Sequence, residues 1–337
     1  MSNYAYVATR ARSRRSRLLP AEAYNQLLNL EHAEIARYIQ DLEYRREIDR
    51  YGSTLSGADL IETALVDNLA KDIGDFLSFS KGKLRDILHV YAEKYRVDNL
   101  KNIIRGINQD MDRQNLERLV CPINDSDKEL YSKLYDSKTV EDVISSLEGT
   151  SYYNPLKKAL ESRNSDSLQP LEDTLDLIYY RNLVSNQPSG GADVEVYRNF
   201  VQLKVDIANI KTLLRMRHRG IGSHEELLIS GGTLATDLLA STQSLEDLLS
   251  SLEGTKYFEL LKPHLKPDSV DLNSCVHSLD EYMAKKTKRF SYLYPLSVLP
   301  VLDYLLKKER EVYNLRAIVR GKQAGLAKDI IEELVVV

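Results

Sequence analysis

The sequence predicts an all-α chain made of three diverged copies of one helical unit of about 105 residues. Three observations carry this expectation. Residues 145–152 read SSLEGTSY and residues 250–257 read SSLEGTKY, an offset of 105 with a single difference. Residues 99–105, 209–215 and 314–320 read NLKNIIR, NIKTLLR and NLRAIVR, a shared pattern of Asn, aliphatic, basic, any, aliphatic, aliphatic, Arg. Within these boxes the apolar residues recur at helical spacing, and strand signals are sparse. A repeat of domain size has to be recognised first, because it governs how every other residue is read.

Each copy carries its marks in one order. The SSLEGT box has a weaker echo upstream, where Leu42 and Glu43 of DLEYRREI hold the equivalent places. In the third copy LEDLLSSL (245–252) has helical spacing after Ser244, a plausible N-cap, and Gly254 follows as a helix stop, as Gly149 does in the second. A second, weaker echo follows as IETAL (61–65), LEDTL (171–175) and LDEYM (279–283). Next comes the Asn box, which in the first copy sets Leu100, Ile103, Ile104 and Ile107 on one helix face. An aliphatic pair closes each copy: Leu119-Val120, Leu228-Ile229 and Leu334-Val335. Turn clusters at 121–127, 220–223 and 230–233 mark boundaries, and the cluster at 185–193 reads as a loop inside the middle copy. The division is residues 1–114, 115–222 and 223–337. Met216 stands where the other copies have Gly106 and Gly321, so the turn after the middle box is expected to differ.

Composition narrows the function. With 43% hydrophobic and 28% charged residues the chain can bury a core and is not disordered by composition. A net charge of −4 argues against nucleic acid as main partner, since phosphate binding needs a basic face. Cys121 and Cys275 form neither a disulfide framework nor a zinc motif, which fits a reduced compartment. The longest strongly apolar stretch, Phe290–Leu302, has 13 residues and contains Pro295 and Pro300. About 20 are needed to span a bilayer, so the expectation is a soluble chain without transmembrane insertion, reaching any membrane through partners. The chain holds 21 Tyr and no Trp; the simple reading is helix packing with wet hydroxyl ends.

The usual signatures of chemistry are missing. No GxxxxGK[ST] loop is present, Gly220 and Gly222 do not complete GxGxxG, and neither HExxH nor GxSxG occurs. Glu148 and Glu253 recur beside the helix-ending glycines, which reads as structure before catalysis. No catalytic, cofactor-binding or metal-ligating residue is assigned, and no cofactor is expected. The one constellation to weigh is basic: Lys101/Arg105, Lys211/Arg215 and Arg316/Arg320, each an i, i+4 pair beside an apolar stripe. The plain reading is a salt bridge to an acid elsewhere in the same copy; the sharper one is three copies facing a shared partner. The Asn opening each box could serve as a buried polar anchor to a neighbouring element. The run Arg10, Arg12, Arg14, Arg15 and Arg17 reads first as a solvated helix face, and second as a surface for acidic lipid or protein.

At this point the residues carry a resemblance. YLLKKEREVYNLRAIVRGK (Tyr304–Lys322) resembles the hallmark of the C subunit of archaeal and bacterial A/V-type rotary ATPases, a family that includes the eukaryotic V-ATPase d subunit. YAYVATRARSRRSRLL (Tyr4–Leu19) is similar to that family's opening, and the threefold box also matches. The resemblance implies three similar helical domains around a pseudo-threefold axis, forming a funnel. It implies a non-catalytic rotor component at the cytoplasmic face of the membrane. Its partners would be the D and F subunits of the central stalk and the membrane proteolipid ring, and it would pass torque coupled to ion transport. The basic pairs would then line the socket or brace the repeats. The alternatives are a helical-repeat scaffold for other soluble proteins, whose repeats are usually far shorter, and a metal-free helical enzyme.

Overall fold

The computed structural model describes residues 2–162, 167–188, 190, 192–219, 225–266 and 269–336. Among these the chain is helical, with eighteen α-helices and a single two-residue antiparallel ladder, Leu265–Lys266 against Ser269–Val270. Contacts divide it into two compact units, Met1–Leu168 with Pro300–Val337, and Gln169–Leu299.

The order of elements recurs three times. Three short helices come first: Ala21–Leu27, His32–Gln40 and Arg45–Tyr51; then Asp125–Leu134, Val140–Ser145 and Tyr153–Glu161; then Thr236–Ser241, Leu245–Ser251 and Lys256–Leu261. A leading helix follows (Gly57–Phe79, Gln169–Ser185, Leu272–Leu293) and carries the IETAL-type echo. A box helix comes next (Lys83–Asn108, Ala192–His218, Leu299–Gln323).

Local chemistry explains the boundaries. Thr139 and Ser244 each cap their helix in a reciprocal box, the hydroxyl accepting from Asp142 N–H at 3.1 Å and Asp247 N–H at 3.0 Å. Asp142 and Asp247 accept the capping residues' own N–H groups, and these bonds hold both carboxyls below the usual carboxylate range. After the SSLEGT turns the chain passes through Gly149 and Gly254 at φ +84° and +76°, where a side chain is strained.

The tail after each box helix shows what the Met216 position changes. In the first copy helix Arg113–Leu119 lays Leu116 where a Cβ on Gly106 would fall, and in the third, helix Lys328–Leu334 lays Ile331 against Gly321. Met216 is buried, and the middle copy has a 3₁₀ turn, Glu225–Leu227, in place of that short helix. The predicted turn at 220–223 lies outside the described residues.

The seven box positions have one burial pattern in all three copies: buried, buried, half-buried, half-buried, buried, buried, exposed. The Asn side chains are buried and make the same two bonds. Asn99 Nδ2 donates to the Cys121 carbonyl at 2.8 Å, and Cys121 N–H donates back to Asn99 Oδ1 at 2.9 Å. Asn209 does this with Ile229 at 2.8 and 2.9 Å, and Asn314 with Val336 at 2.7 and 2.9 Å. Each Asn therefore clasps both backbone polar groups of one residue, at or next to the aliphatic pair that closes its copy.

Removing a clasp leaves a peptide N–H and C=O without partners; two such bonds are worth about 2–4 kcal/mol. Asn209→Ala should lose about that much in urea unfolding. Cys121 sits under the first clasp, and burial pushes its thiol up to about 12. It should resist a thiol-specific reagent at pH 8 in the folded protein, and Asn99→Ala should speed its labelling ahead of global unfolding.

Candidate functional site

The six basic residues sit on the box helices, and the acids described against Lys211, Arg316 and Arg320 lie in a neighbouring copy. In the unit Gln169–Leu299, Lys211 Nζ meets Asp280 Oδ1 at 2.5 Å. In the other unit, Arg316 Nε meets Glu62 Oε1 at 2.7 Å, Arg320 meets Glu62 Oε2, and Arg320 also reaches Asp59 at 3.4 Å. Lys211 and Arg316 hold the same box position, and Asp280 and Glu62 the same echo position. So the second box pairs with the third leading helix, and the third box pairs with the first. For Lys211, Arg316 and Arg320 the expectation of an acid within the same copy is corrected accordingly. Lys101 is half-buried and Arg105 exposed on the first box helix. Arg215 is exposed and stands within 3.5 Å of the Thr212 hydroxyl.

The short helices are gripped in the same order. Three residues before each Asn stands a charged residue facing the next copy's short helices: Arg96, Asp206 and Glu311. Asp206 is fully buried and accepts from Thr233 N–H at 2.8 Å, Leu234 N–H at 3.1 Å and the Tyr257 hydroxyl at 2.9 Å. Glu311 accepts from Leu19 N–H and the Tyr44 hydroxyl, both at 2.6 Å. Lys308 Nζ completes this buried cluster, 2.7 Å from the Tyr44 oxygen and 3.1 Å from Glu311. Arg96 reverses the sign and meets buried Asp127 at 2.7 Å, while the Tyr152 hydroxyl bonds Glu93 one turn earlier.

Five of the 21 tyrosines depart from the picture of wet hydroxyls. Hydroxyls of Tyr44, Tyr95, Tyr152, Tyr257 and Tyr304 bond carboxylates of Glu311, Glu309, Glu93, Asp206 and Asp72. Burial and the adjacent carboxylate push Tyr44, Tyr95 and Tyr304 well above the usual phenol range, so they act as neutral donors.

Two of the five N-terminal arginines, Arg14 and Arg15, are built in as half-buried ion pairs, while Arg10, Arg12 and Arg17 are exposed. Arg14 bridges Asp72 at 2.7 Å and Asp75 at 2.5 Å, and Arg15 meets buried Asp303 at 2.7 Å. Arg10 lies over the rings of Phe79 and Tyr6, 4.2 and 4.8 Å from their centroids, and Arg17 reaches Glu43 at 3.2 Å. Arg12 stays exposed.

The ion pairs and buried bonds described above organise helices. Beside the second box a cleft of about 250 Å³ is lined by Asp173, Asp176 and Tyr180 with Lys211, Arg215 and Val276. It offers no Ser, Cys or His for a nucleophile–base pair. No cluster of three or more His, Cys, Asp or Glu able to hold a metal occurs among the described residues.

Comparison with known proteins decides the family. A family model described as "ATP synthase (C/AC39) subunit" matches residues 7–334. The chain belongs to that family. The A-type ATP synthase C subunit of Haloferax volcanii is 36% identical over 342 residues, covering 99% of this chain and 98% of the relative. That of Halobacterium salinarum is 34% identical over 340 residues, covering 98% and 97%. That of Methanococcoides burtonii is 32% identical over 348 residues, covering 100% and 95%. The chain is thus a component of a rotary ATPase, and its family is a non-catalytic accessory one of a membrane-associated complex. Among the described residues no helix is long and apolar enough to cross a membrane. Membership across nearly the whole chain displaces the readings of an unrelated scaffold or an enzyme.

The sequence contained a signal for the acidic partners that residue-type reasoning missed. Glu62 and Asp280 align in the echo as Arg316 and Lys211 align in the box, so equivalent acids were available for equivalent bases. Glu62 is nearly buried beneath two arginines, whereas Asp280 is half exposed. Glu62→Gln should therefore cost about 1–3 kcal/mol in urea unfolding at low salt, and Asp280→Asn under about 1 kcal/mol. Equal costs would contradict the difference in burial.

Proposed function

We propose that this chain is the rotor component that links the central stalk, made of the D and F subunits, to the membrane proteolipid ring, and so passes torque coupled to ion transport. It works at the cytoplasmic face, held there peripherally. The reading includes three helical domains, 1–114, 115–222 and 223–337, around a pseudo-threefold axis in a funnel. The observation that carries it is the family match over residues 7–334.

The structure supports a coupler in one further respect. An element that transmits torque must resist shear between its parts. Here each described grip between copies is a buried or charge-assisted bond, which is short and directional. Ion pairs at Lys211, Arg316 and Arg320 favour the bracing role for these positions. Lys101, Arg105 and Arg215 remain candidates for either role in this proposal.

Tagged full-length chain, recovered from gently solubilised native membranes, should bring down stalk and proteolipid subunits of a rotary ATPase. Recovery of unrelated soluble proteins alone would overturn the assignment. Charge reversal at Arg105, Arg215 and Arg320 separates the two roles. Loss of stalk subunits with helicity intact supports a socket; stalk recovery unchanged with helicity intact rejects it.

A further inference from the structure

The stretch Phe290–Leu302, too short to span a bilayer, has not been absorbed by the function above. It forms the turn from the third leading helix to the third box helix. Five consecutive residues, 292–296, are exposed. Tyr292, Leu293, Tyr294 and Leu296 have 58%, 59%, 42% and 64% of their surface in solvent. Single exposed apolar residues need no explanation, but a contiguous group at a turn does.

The turn is built, not frayed. Ser291 and Ser297 are buried on either side, and Val298 and Leu299 are buried beyond. Tyr294 N–H donates to the Phe290 carbonyl at 2.9 Å, and the Ser297 hydroxyl donates to the Tyr294 carbonyl at 2.7 Å. Leu299 N–H then donates to the Ser297 hydroxyl oxygen at 3.2 Å. The apolar tip is thus presented on a fixed frame. In the first copy the equivalent turn is Ser80-Lys81-Gly82, with nothing apolar to show.

Charge identifies the partner. From Lys285 to Leu296 there are four basic residues and no acid, in a chain whose net charge is −4. Lys288 and Arg289 are exposed; Lys285 pairs at the exposed surface with Glu281 at 2.7 Å. On the helix Arg289 lies one turn behind Leu293, and Lys288 one turn behind Tyr292, about 6 Å back along the axis. That spacing sets ammonium and guanidinium groups at phosphate level when Tyr and Leu reach the headgroup–acyl boundary. A protein partner fits less well, because lysine is depleted from protein–protein contacts while three of these four bases are lysines.

We propose that the 292–296 turn, with Lys285, Lys286, Lys288 and Arg289 behind it, is a peripheral contact for an anionic lipid surface. It goes beyond the proposed function, in which partner proteins alone hold the chain at the membrane. The test is co-sedimentation of the full chain with vesicles of phosphatidylglycerol mixed with phosphatidylcholine, against phosphatidylcholine alone, at low salt. The anionic vesicles should bind at least about tenfold better, since each juxtamembrane base contributes roughly fivefold. Lys288→Glu with Arg289→Glu, and separately Tyr294→Ser with Leu296→Ser, should each lower that binding about tenfold with unchanged circular dichroism. Equal binding to both vesicle types overturns the proposal, as do variants that bind like the parent. If the Tyr294/Leu296 variant instead loses its co-purifying ATPase subunits while vesicle binding is absent, the turn docks on protein and the lipid contact is rejected. Co-purification by the parent chain reads the proposed function independently of either vesicle result.

Discussion

Everything in this fold depends on how a box helix buries an asparagine. Asn99, Asn209 and Asn314 are buried among aliphatic neighbours, and a carboxamide there costs free energy unless both its ends are bonded. The backbone C=O and N–H of one residue, from two successive peptide groups, offer the matching acceptor and donor, and for each asparagine that residue lies 20 or 22 residues downstream. Aspartate at this position would accept but not donate. Leucine would fill the space and leave the peptide orphaned. The asparagine therefore fixes the path of the segment that leaves the helix, and so where the next copy begins.

From that fixed departure the charged residues take their places. Asp206 and Glu311 stand one turn before the clasp and bind the chain as it enters the following copy, by backbone N–H groups and by a tyrosine hydroxyl. The ion pairs of Lys211 and Arg316 do the same for the leading helices. Burial alone raises a carboxyl above its usual range, as it does for Asp72 and Glu93 against the opposing pull of their partners. Polar bonds of this kind add little net energy beside the aliphatic core, but they have one geometry, which greasy contacts do not.

Much of this was legible in the sequence. The element order followed from the boxes, the capping of Ser244 from its position before LEDLLSSL, and the buried stripe from Leu100, Ile103, Ile104 and Ile107. The turn that Met216 was expected to alter lies outside the described residues, and the 3₁₀ turn Glu225–Leu227 comes after it. What local patterning could not convey was pairing over long separations. Arg14 sees Asp72 from 58 residues away, and Arg15 sees Asp303 from 288. An arginine that will pair with a distant acid looks, residue by residue, like its exposed neighbours Arg12 and Arg17. Tyr44 and Tyr304 were equally silent, because a phenol's partner is chosen by tertiary contact.

The third box helix and the N-terminal short helices meet across a separation of 267 residues, from Tyr44 to Glu311. At roughly 5–20 residues per second, synthesis would leave the early helices without their partner for tens of seconds. Over that interval Glu62 and the face around Tyr44 would stand open. The first part made is thus among the last parts finished, and the cluster of Lys308, Tyr44 and Glu311 closes the chain on itself. A ribosome stalled short of the third box would release a chain whose beginning, though fully synthesised, had not yet become native.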